Sequence, residues 1–596
     1  MRSRHRRVEV RLLERKRASD LIRREPTEGG PAGEVLFLVD DVDAEAERPR
    51  DLGVEFLSGP VDRPWGHRSL HFLDPDGFVV ELAQKIPGSC LAMADVDDRA
   101  AILAYHEATK HSPESIRARA HYLDWGNRPL SFKVYPDLER IPLPDDTPSL
   151  DVPALEAIGV TSVPGPTPGP DVSALARLLV LGAGVHHTKA FGDGEVLYFR
   201  NYASAGALYP VEVYVGCADL PGLPAGVYHF DPQGPSLTRL RQGEHRAHLV
   251  RAAAGEPALA RAPVVLALTG IPWRTAWKYT ERGYRHLFWD AGMILANVLA
   301  LAASARLPVR VVLGFADAEV SALLGLEERR EFPLCLVSIG AADAEIPLAA
   351  EPPEEVSFRV LPLSRTEYAY QGILQANDSG RLEDSKEART WRRSVWGDEE
   401  VEPTPPLSSD AARDSLEEVL RRRGSARIFA PGAIPAAVVR TILERATVGI
   451  PTDYASGGAR QVEPYLIANA IQGLDPGAYV FRDGQLRLLE RGDLRREAGF
   501  LCLEQELGAT AAATLFLMAD LPGILDALGA RGYRAAQLEA GIVAGRTYLG
   551  AYAYRFGATG LTFYDDAVTE FFSPDAAGKS CILVTAIGES PRLRRG

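Results

Sequence analysis

Two short segments of the chain carry residue types that can do chemistry. The first ends in Lys278-Tyr279, directly after Trp277. A lysine is a poor base at its reference pKa of about 10.4, but desolvation beside aromatic rings lowers that pKa and makes a general base. The alternative is a surface lysine beside a core tyrosine, which is the commoner fate of an isolated pair.

The second segment is Arg423-Gly-Ser-Ala-Arg427, in which two arginines flank a serine. Guanidinium and hydroxyl groups are donors that bind a phosphate group at close range. The alternative is a solvated basic helix end, which is the usual fate of a charge run. Phe429 and Pro431, which follow directly, favour phosphate binding over that alternative.

The elements that must position these segments belong to a domain that is present twice. Four blocks recur in one order: 202–214 as 454–465, 226–230 as 477–481, 283–285 as 532–534 and 338–340 as 586–588. Their offset drifts only from 252 to 248 residues. This is a domain length, far above the period of about 20–50 residues in solenoids and propellers. The chain therefore carries two copies of one domain, and they have kept different polar residues.

Composition excludes several classes of protein. A net charge of −14 over 596 residues argues against general nucleic-acid binding, which uses basic surfaces. Five dispersed cysteines without a CxxC pair indicate reduced thiols and a cytoplasmic protein. The basic N-terminus has no apolar stretch after it, so no secretory signal is predicted. The apolar run Leu287–Ala305 contains Asp290 and Asn297, which favours a buried core helix over a membrane span.

Composition shifts divide the chain into four predicted parts. Residues 1–90 form an N-terminal part, 91–345 the first copy and 411–596 the second copy. Residues 346–410 are rich in Glu, Pro and Ser, and they predict an acidic linker with some local structure around 365–375.

The N-terminal part predicts a βαβββ order. Its predicted elements are a strand at Glu34–Val39, a helix at Val42–Leu52 and strands at Val54–Leu57, Ser69–Leu73 and Phe78–Leu82, with a turn at 74–77. Residues 39–43, 64–66 and 72–82 resemble the vicinal-oxygen-chelate superfamily, which includes glyoxalases and bleomycin-resistance proteins. That resemblance implies two modules that share a metal site. Only one module is complete here and only Glu81 matches a ligand, so we expect no metal.

The duplicated domain predicts an α+β fold. In the first copy we expect helices at Val172–Leu181 and Tyr284–Ala305, and strands at Val211–Val215 and Leu334–Ile339. The second copy repeats them as Val438–Ala446, Tyr533–Tyr554, Tyr465–Ala468 and Ile582–Ile587. Helices and strands mix without βαβ alternation, which favours a sheet packed with long helices. No GxGxxG follows a strand and no P-loop is present.

These segments resemble the nitroreductase superfamily, and more narrowly its SagB-type (thiazole/oxazole oxidase-like) dehydrogenases. The resemblance is carried by residues 105–112, 123–129, 204–210, 284–292 and 323–326. It implies an enzyme that binds FMN at the interface of two such domains. Because both domains lie in one chain, we expect an intrachain pseudo-dimer.

The resemblance also implies roles for individual residues. Arg423, Ser425 and Arg427 match the phosphate-binding pattern of the family, and the corresponding region of the first copy, 155–167, has no arginine. The loop Ala203-Ser204-Ala205-Gly206 matches the segment that lies against the flavin ring, although Ala203 replaces a proline. Lys278 and Tyr279 match a Lys-Tyr pair that serves proton transfer.

Together these assignments predict one FMN site per chain. The second copy supplies the phosphate ligands, and the first copy supplies the Ser204 loop and the Lys-Tyr pair. The mirrored position keeps a similar loop, Ala455–Gly458, but has neither the arginines nor the pair, because Leu521–Leu528 occupies the equivalent place. We therefore expect that position to bind no flavin.

The predicted function is an FMN-dependent dehydrogenase or oxidase. By resemblance, its substrate is a small molecule or an azoline in a modified peptide, oxidised to an azole, with peptide-modifying enzymes as partners. One alternative is an NAD(P)H-dependent nitro- or quinone reductase, which does not need the Lys-Tyr pair. The other is a non-catalytic flavin-binding or scaffold subunit of a peptide-modifying complex.

Overall fold

The computed structural model divides the chain into two units, residues 1–97 and 98–596. The structure describes residues 8–11, 34–39, 41–51, 54, 56–62, 67–73, 79–85, 98–118, 121–145, 147–161, 163, 169–190, 196–393, 404–455, 458, 460–591 and 593.

The N-terminal unit contains a five-stranded sheet with the order β1-β2-β5-β4-β3. Its elements are β1 (Val8–Arg11), β2 (Glu34–Leu38), α1 (Val42–Asp51), β3 (Phe56–Asp62), β4 (His67–Leu73) and β5 (Val79–Lys85). Strands β2 and β5 are parallel, and α1 packs on the sheet through Val42, Ala46 and Leu70. The predicted βαβββ order is confirmed and β1 is added to it. The predicted turn at 74–77 lies outside the described residues.

The first copy of the duplicated domain contains helices of 4 to 22 residues around an antiparallel sheet. Its helices are α2 (Asp98–Ala108), α3 (Pro113–Ala118), α4 (Ala154–Ala157), α5 (Val172–Ala183), α6 (Arg246–Ala252), α7 (Pro257–Arg261), α8 (Pro272–Tyr279), α9 (Gly283–Ser304) and α10 (Asp317–Leu324). Its strands are β6 (Arg140–Pro142), β7 (Val185–Ala190), β8 (Val196–Arg200), β9 (Val211–Cys217), β10 (Gly226–Asp231), β11 (Ser236–Gln242), β12 (Val264–Gly270), β13 (Val309–Val312) and β14 (Phe332–Ile339).

The second copy and the segment before it repeat this plan. The helices are α11 (Gln371–Ser379), α12 (Ser385–Arg393), α13 (Leu416–Arg422), α14 (Ala436–Ala446), α15 (Arg495–Leu501), α16 (Glu506–Thr510), α17 (Leu521–Leu528), α18 (Gly532–Ala553) and α19 (Asp565–Phe571). The strands are β15 (Ile434–Pro435), β16 (Glu463–Ala468), β17 (Ile471–Gln472), β18 (Gly477–Arg482), β19 (Gln485–Arg491), β20 (Ala513–Ala519), β21 (Gly557–Leu561) and β22 (Ser580–Gly588).

The two main sheets have the same topology. The first runs β13-β14-β12-β9-β10-β11-β6, and the second, read in the same direction, runs β21-β22-β20-β16-β18-β19. Both carry a register shift at equivalent places, between Leu268 and Thr269 and between Leu517 and Met518. Helices pack on these antiparallel sheets, so the predicted α+β fold with a tandem repeat is confirmed.

Helices α9 and α18 cross at the centre and join the copies into one core. Every residue of α18 is buried, as is almost every residue of α9. They cross at Gly292 and Gly541, which are 249 positions apart. A Cβ on Gly292 would lie 2.6 Å from the Gly541 Cα, and a Cβ on Gly541 would lie 3.0 Å from the Gly292 Cα. Only glycine allows this backbone approach, so the crossing fixes the intrachain pseudo-dimer.

Two equivalent ion clusters flank this crossing. Asp565 of the second copy pairs with Arg282 and Arg285 of the first, each at 2.9 Å. At the equivalent place, Asp317 of the first copy pairs with two arginines of the second, Arg531 and Arg534, each at 2.6 Å. Burial raises the pKa of Asp565, but its two arginines outweigh burial and hold that pKa below its ordinary value. Each copy therefore supplies the carboxylate that pairs with the other's two buried arginines.

The segment predicted as a linker is packed against both copies. It contains α11 and α12, and the end of α11 accepts hydrogen bonds from the arginines of the second cluster through the carbonyls of Asn377 and Gly380. The end of α2 does the same for the first cluster through His106 and Thr109. Helix α11 is therefore the counterpart of α2. The sequence predicts a linker here because the groups that bond the arginines are polar and give the segment little hydrophobic pattern.

The stretch Pro272–Ser304 is long and apolar enough to cross a membrane, and 89% of its most apolar window is buried inside the protein. This burial agrees with the core helix that Asp290, within the apolar run, predicts.

Candidate active site at the interface of the two copies

Helix α8 places Lys278 and Tyr279 in its last turn. Pro272 occupies the first turn, where proline is favoured because no backbone N–H is needed there. Two tryptophan indoles fix the helix: Trp273 donates to the Ser364 hydroxyl at 2.9 Å, and Trp277 donates to the Asp124 carbonyl at 3.0 Å. The pair is thus held on a rigid element.

The loop Ala203–Gly206 lies directly against this pair. Gly206 has a φ of +64°, and a Cβ there would lie 3.1 Å from the Tyr279 hydroxyl and 3.3 Å from the Lys278 Cδ. Both the backbone angle and the close approach favour glycine. The Ser204 Oγ accepts a hydrogen bond from the Tyr209 backbone N–H at 3.0 Å, which closes the loop.

Asp290 of α9 holds the same loop through hydrogen bonds. Its buried carboxyl bonds the Ser204 side chain and the Ala205 backbone N–H. Burial raises the pKa of Asp290 to about 8, and these two hydrogen bonds oppose that rise. Two residues that shortly follow the loop, Ala207 and Tyr209, have φ values of 52° and 49°. Such left-handed backbone costs about 1–2 kcal/mol per residue outside glycine, so the anchor holds a strained loop in place.

Arg423 follows α13 and is buried without a carboxylate. Its guanidinium donates to the Arg200 carbonyl at 3.0 Å and lies 6.0 Å from the centre of the Tyr548 ring. No described carboxylate pairs with it, and burial lowers its pKa from the ordinary value. A buried cation with only carbonyl and aromatic neighbours suits an anionic ligand.

Ser425 and Arg427 complete the segment on the side that faces solvent. The Ser425 Oγ lies 3.5 Å from the Tyr548 hydroxyl, which accepts a hydrogen bond from the Gly560 backbone N–H at 2.6 Å. Arg427 is exposed. Hydroxyl groups, a backbone amide and two guanidinium groups are thus arranged near one another at the start of the second copy.

The structure brings the segments of the two copies together. Partial desolvation lowers the pKa of Lys278, and the positive charges of Arg427 and Arg128 lower it further. Burial raises the pKa of Tyr279, Asp290 raises it further and Arg427 opposes both. Arg427 of the second copy therefore acts on both members of the pair in the first. The predicted residues lie at one interface, and their roles remain predictions.

The position in the first copy that corresponds to the candidate phosphate site is built differently from that site. Val311 is buried and forms a bridge to Thr452, whereas its counterpart Gly560 is exposed. Leu299 stands where the second copy has Tyr548. The backbone at this place is therefore covered in the first copy and exposed beside Tyr548 in the second. Ser456 and Gly457 of the mirrored loop lie outside the described residues.

Sequence reasoning gave no role to Tyr548 or to Asp290. The signal for Tyr548 was present, because aligning the copies sets a tyrosine against Leu299. Asp290 aligns with Glu539, which is also buried with a pKa raised by burial, to about 7. Both copies therefore have an acidic residue at this position. A comparison of the copies shows no difference there, so it gives no sign that Asp290 belongs to the candidate site.

No group of three or more His, Cys, Asp or Glu residues suitable for a metal ion occurs in the described part of the chain. In the N-terminal unit, His71 is buried, whereas the side chains of His67 and Glu81 lie outside the description. The expectation of no metal there stays a prediction.

Comparisons with known proteins identify the family. The nitroreductase family model matches residues 166–341 and 420–588. The chain belongs to the nitroreductase family. It is therefore an oxidoreductase by class, with two family domains in tandem. Residues 7–82 match the model of the glyoxalase, bleomycin-resistance protein and dioxygenase superfamily, so both predicted resemblances are confirmed.

Three proteins illustrate these relationships. The nitroreductase-like protein MJ1384 of Methanocaldococcus jannaschii is 34% identical over 151 residues, 25% of this chain and 75% of that protein. The microcin B17-processing protein McbC of Escherichia coli is 30% identical over 148 residues, 24% of this chain. The chain spans about half the length of McbC, 54%. The crystal structure of a nitroreductase-like protein of Anabaena variabilis aligns with a TM-score of 0.61 at 25% identity, over 82% of this chain and 99% of that one.

Proposed function

We propose that the chain is an FMN-dependent dehydrogenase or oxidase of the SagB type with one composite active site. The proposal rests on Arg427 of the second copy, whose positive charge acts on Lys278 and Tyr279 of the first copy and which lies four residues after the buried Arg423. The donors near Arg423 fit a phosphate dianion, since they combine guanidinium and hydroxyl groups. The small residues of Ala203–Gly206 suit a flat ring that approaches the backbone closely.

FMN, when bound, supplies the redox chemistry by accepting a hydride from the substrate. The protein contributes binding and orientation. Arg423 and Ser425 would hold the phosphate, while the Gly206 loop would border the ring. Arg427 is the third proposed phosphate ligand, and its positive charge also acts on Lys278 and Tyr279.

Lys278 is the proposed general base. Removal of two hydrogens from a substrate C–N or C–C bond releases one of them as a proton, which the Lys278 Nζ would accept. For this task the amine must be neutral, and the lowered pKa of Lys278 increases the neutral fraction near physiological pH. Tyr279 keeps its proton at neutral pH, because burial raises the pKa of its hydroxyl, and it would orient the substrate as a hydrogen-bond donor.

An azoline in a modified peptide is the proposed substrate class. Similarity to McbC, a protein named for processing microcin B17, supports this choice together with the retained Lys-Tyr pair. The same similarity supports peptide-modifying enzymes as partners. Similarity to MJ1384 favours the second candidate, an NAD(P)H-dependent nitro- or quinone reductase.

The test is anaerobic reduction of the FMN-loaded protein, followed at the flavin absorbance maximum. A thiazoline-containing peptide should bleach the flavin, and replacement of Lys278 by Ala should abolish bleaching. Replacement of the exposed Lys386 by Ala is the matched control and should change nothing. Bleaching by NADH alone, unaffected by loss of Lys278, would favour the reductase. No bleaching by either would favour a scaffold role.

A further inference from the structure

A column of three aromatic rings connects Tyr279 to the second copy. The His286 ring stacks on the Tyr279 ring with centroids 4.2 Å apart and planes 16° from parallel. On the same helix, Trp289 lies 4.6 Å from His286. The Trp289 indole donates a hydrogen bond of 2.6 Å to the side-chain oxygen of Gln537 in α18. The orientation of the Tyr279 ring is therefore coupled to the helix crossing at the centre of the fold.

His286 makes this contact with the face of its ring and not with its nitrogens. The residue is 1% exposed, and neither ring nitrogen has a hydrogen-bond partner among the described residues. Burial, followed by Arg282, His111, Arg285 and Lys278, lowers the pKa of His286 well below its ordinary value. The imidazole is thus neutral and adds no positive charge beside Lys278.

The internal repeat supplies a comparison for this position. Ala535 stands 249 positions later, at the equivalent place in α18, and it is equally buried. The second copy also lacks a lysine and a tyrosine in the segment equivalent to the end of α8. Burial alone does not require an aromatic ring here, because alanine serves in the other copy. The ring is present only where a Tyr279 must be held.

We propose that His286 is a positioning residue that holds the Tyr279 ring against the Gly206 loop and thereby sets the desolvation of Lys278. This inference rests on the proposed function of Lys278 and Tyr279. The chain of contacts is direct, since His286 touches Tyr279 and the Tyr279 hydroxyl borders the loop beside the Lys278 stem. Lys278 is exposed at the end of α8, and its Nζ lies 5.4 Å from the centre of the Tyr279 ring. Loss of the His286 ring would let Tyr279 tilt away from the amine and leave the amine more fully hydrated.

The test measures the pKa of Lys278 in the full-length protein by trace acetylation with acetic anhydride at several pH values, quantified by mass spectrometry. His286→Ala and His286→Leu should raise that pKa toward the ordinary value of lysine, because both remove the aromatic stack. His286→Phe should restore the wild-type value relative to alanine, because phenylalanine stacks without titrating. Turnover should fall at least tenfold in the alanine variant, with the dissociation constant of FMN changed less than threefold.

His106→Ala is the control for loss of a buried histidine. The His106 Nδ1 lies 3.2 Å from the Tyr533 hydroxyl, outside the ring column. This variant should lower thermal stability without moving the pKa of Lys278. The proposal is wrong if His286→Phe behaves like the alanine variant, or if neither His286→Ala nor His286→Leu changes the Lys278 labelling. If Lys278→Ala keeps full turnover, the proposed function fails, while the labelling result still decides the role of His286.

Discussion

Replacement of Arg423 by Met should weaken FMN binding and leave the folding of the unloaded protein nearly unchanged. In the structure this arginine donates to the carbonyls of Arg200 and Gly424 and pairs with no described carboxylate. Its charge is buried, and burial lowers its pKa. The wild-type protein therefore keeps an uncompensated charge in its interior, which a phosphate ligand would neutralise.

The two effects can be given magnitudes. Each lost hydrogen bond to a carbonyl costs about 1 kcal/mol, and removal of a buried, unpaired charge offsets much of that cost. The free energy of unfolding without FMN should therefore change by about 1 kcal/mol or less. A hydrogen bond to a charged phosphate contributes about 1.5–3 kcal/mol, so the dissociation constant of FMN should rise about 10- to 150-fold.

The assay is titration of the unloaded protein with FMN, followed by flavin fluorescence, with thermal unfolding measured on the same samples. Arg546 is the matched control, because it is also buried, has a pKa lowered to about 10 by burial, and also donates to a backbone carbonyl, that of Val448. Arg546→Met should leave the dissociation constant of FMN unchanged. A dissociation constant within twofold of wild type in Arg423→Met would refute the phosphate assignment. A loss of more than about 3 kcal/mol of stability would show that Arg423 is structural.

Three further predictions follow from the same contacts. Lys278→Ala should keep the flavin colour and lose about 10²–10⁴-fold in turnover. The wild-type rate should rise with pH through the lowered pKa of Lys278, because only the neutral amine accepts a proton, and Lys278→Ala should lack this rise. A variant that loses the flavin colour but keeps its rate per bound flavin would contradict the role of Lys278 as the base. Asp565→Ala leaves two buried arginines without their carboxylate and should lower the free energy of unfolding, measured by chemical denaturation, by about 3–5 kcal/mol. Its counterpart Asp317→Ala should do the same. A change below about 1 kcal/mol would contradict a stabilising role of the two ion clusters. Deletion of residues 1–90 should leave FMN content and turnover intact, and loss of either would show that the N-terminal unit takes part.

The repeat made most of the fold predictable. The helix predicted at Tyr284–Ala305 is Gly283–Ser304 in the structure, because a long apolar run bounded by polar residues has few other solutions. The crossing at Gly292 and Gly541 followed from no local pattern. A glycine inside a helix slightly lowers the predicted helix propensity, and its role in a helix crossing is seen only once the backbone that approaches it is known.

The candidate site was predictable where its residues lie in short motifs. Lys278 and Arg427 were assigned separately from sequence, and the structure places them at one interface. Tyr548 and His286 escaped notice because a contact between hydroxyls and a stack of two rings follow from no short sequence motif. Their equivalents, Leu299 and Ala535, are the only sequence-level signs that these positions differ between the copies.

The stoichiometry of FMN tests the central claim most directly. Denaturation of the FMN-saturated, desalted protein releases the flavin, whose absorbance can be compared with protein concentration from amino-acid analysis. A single composite site built from Arg423 in one copy and Lys278 in the other predicts one FMN per chain. The double variant Arg423→Ala, Arg427→Ala should then release none. Two FMN per wild-type chain, or a double variant that still releases one, would contradict the account.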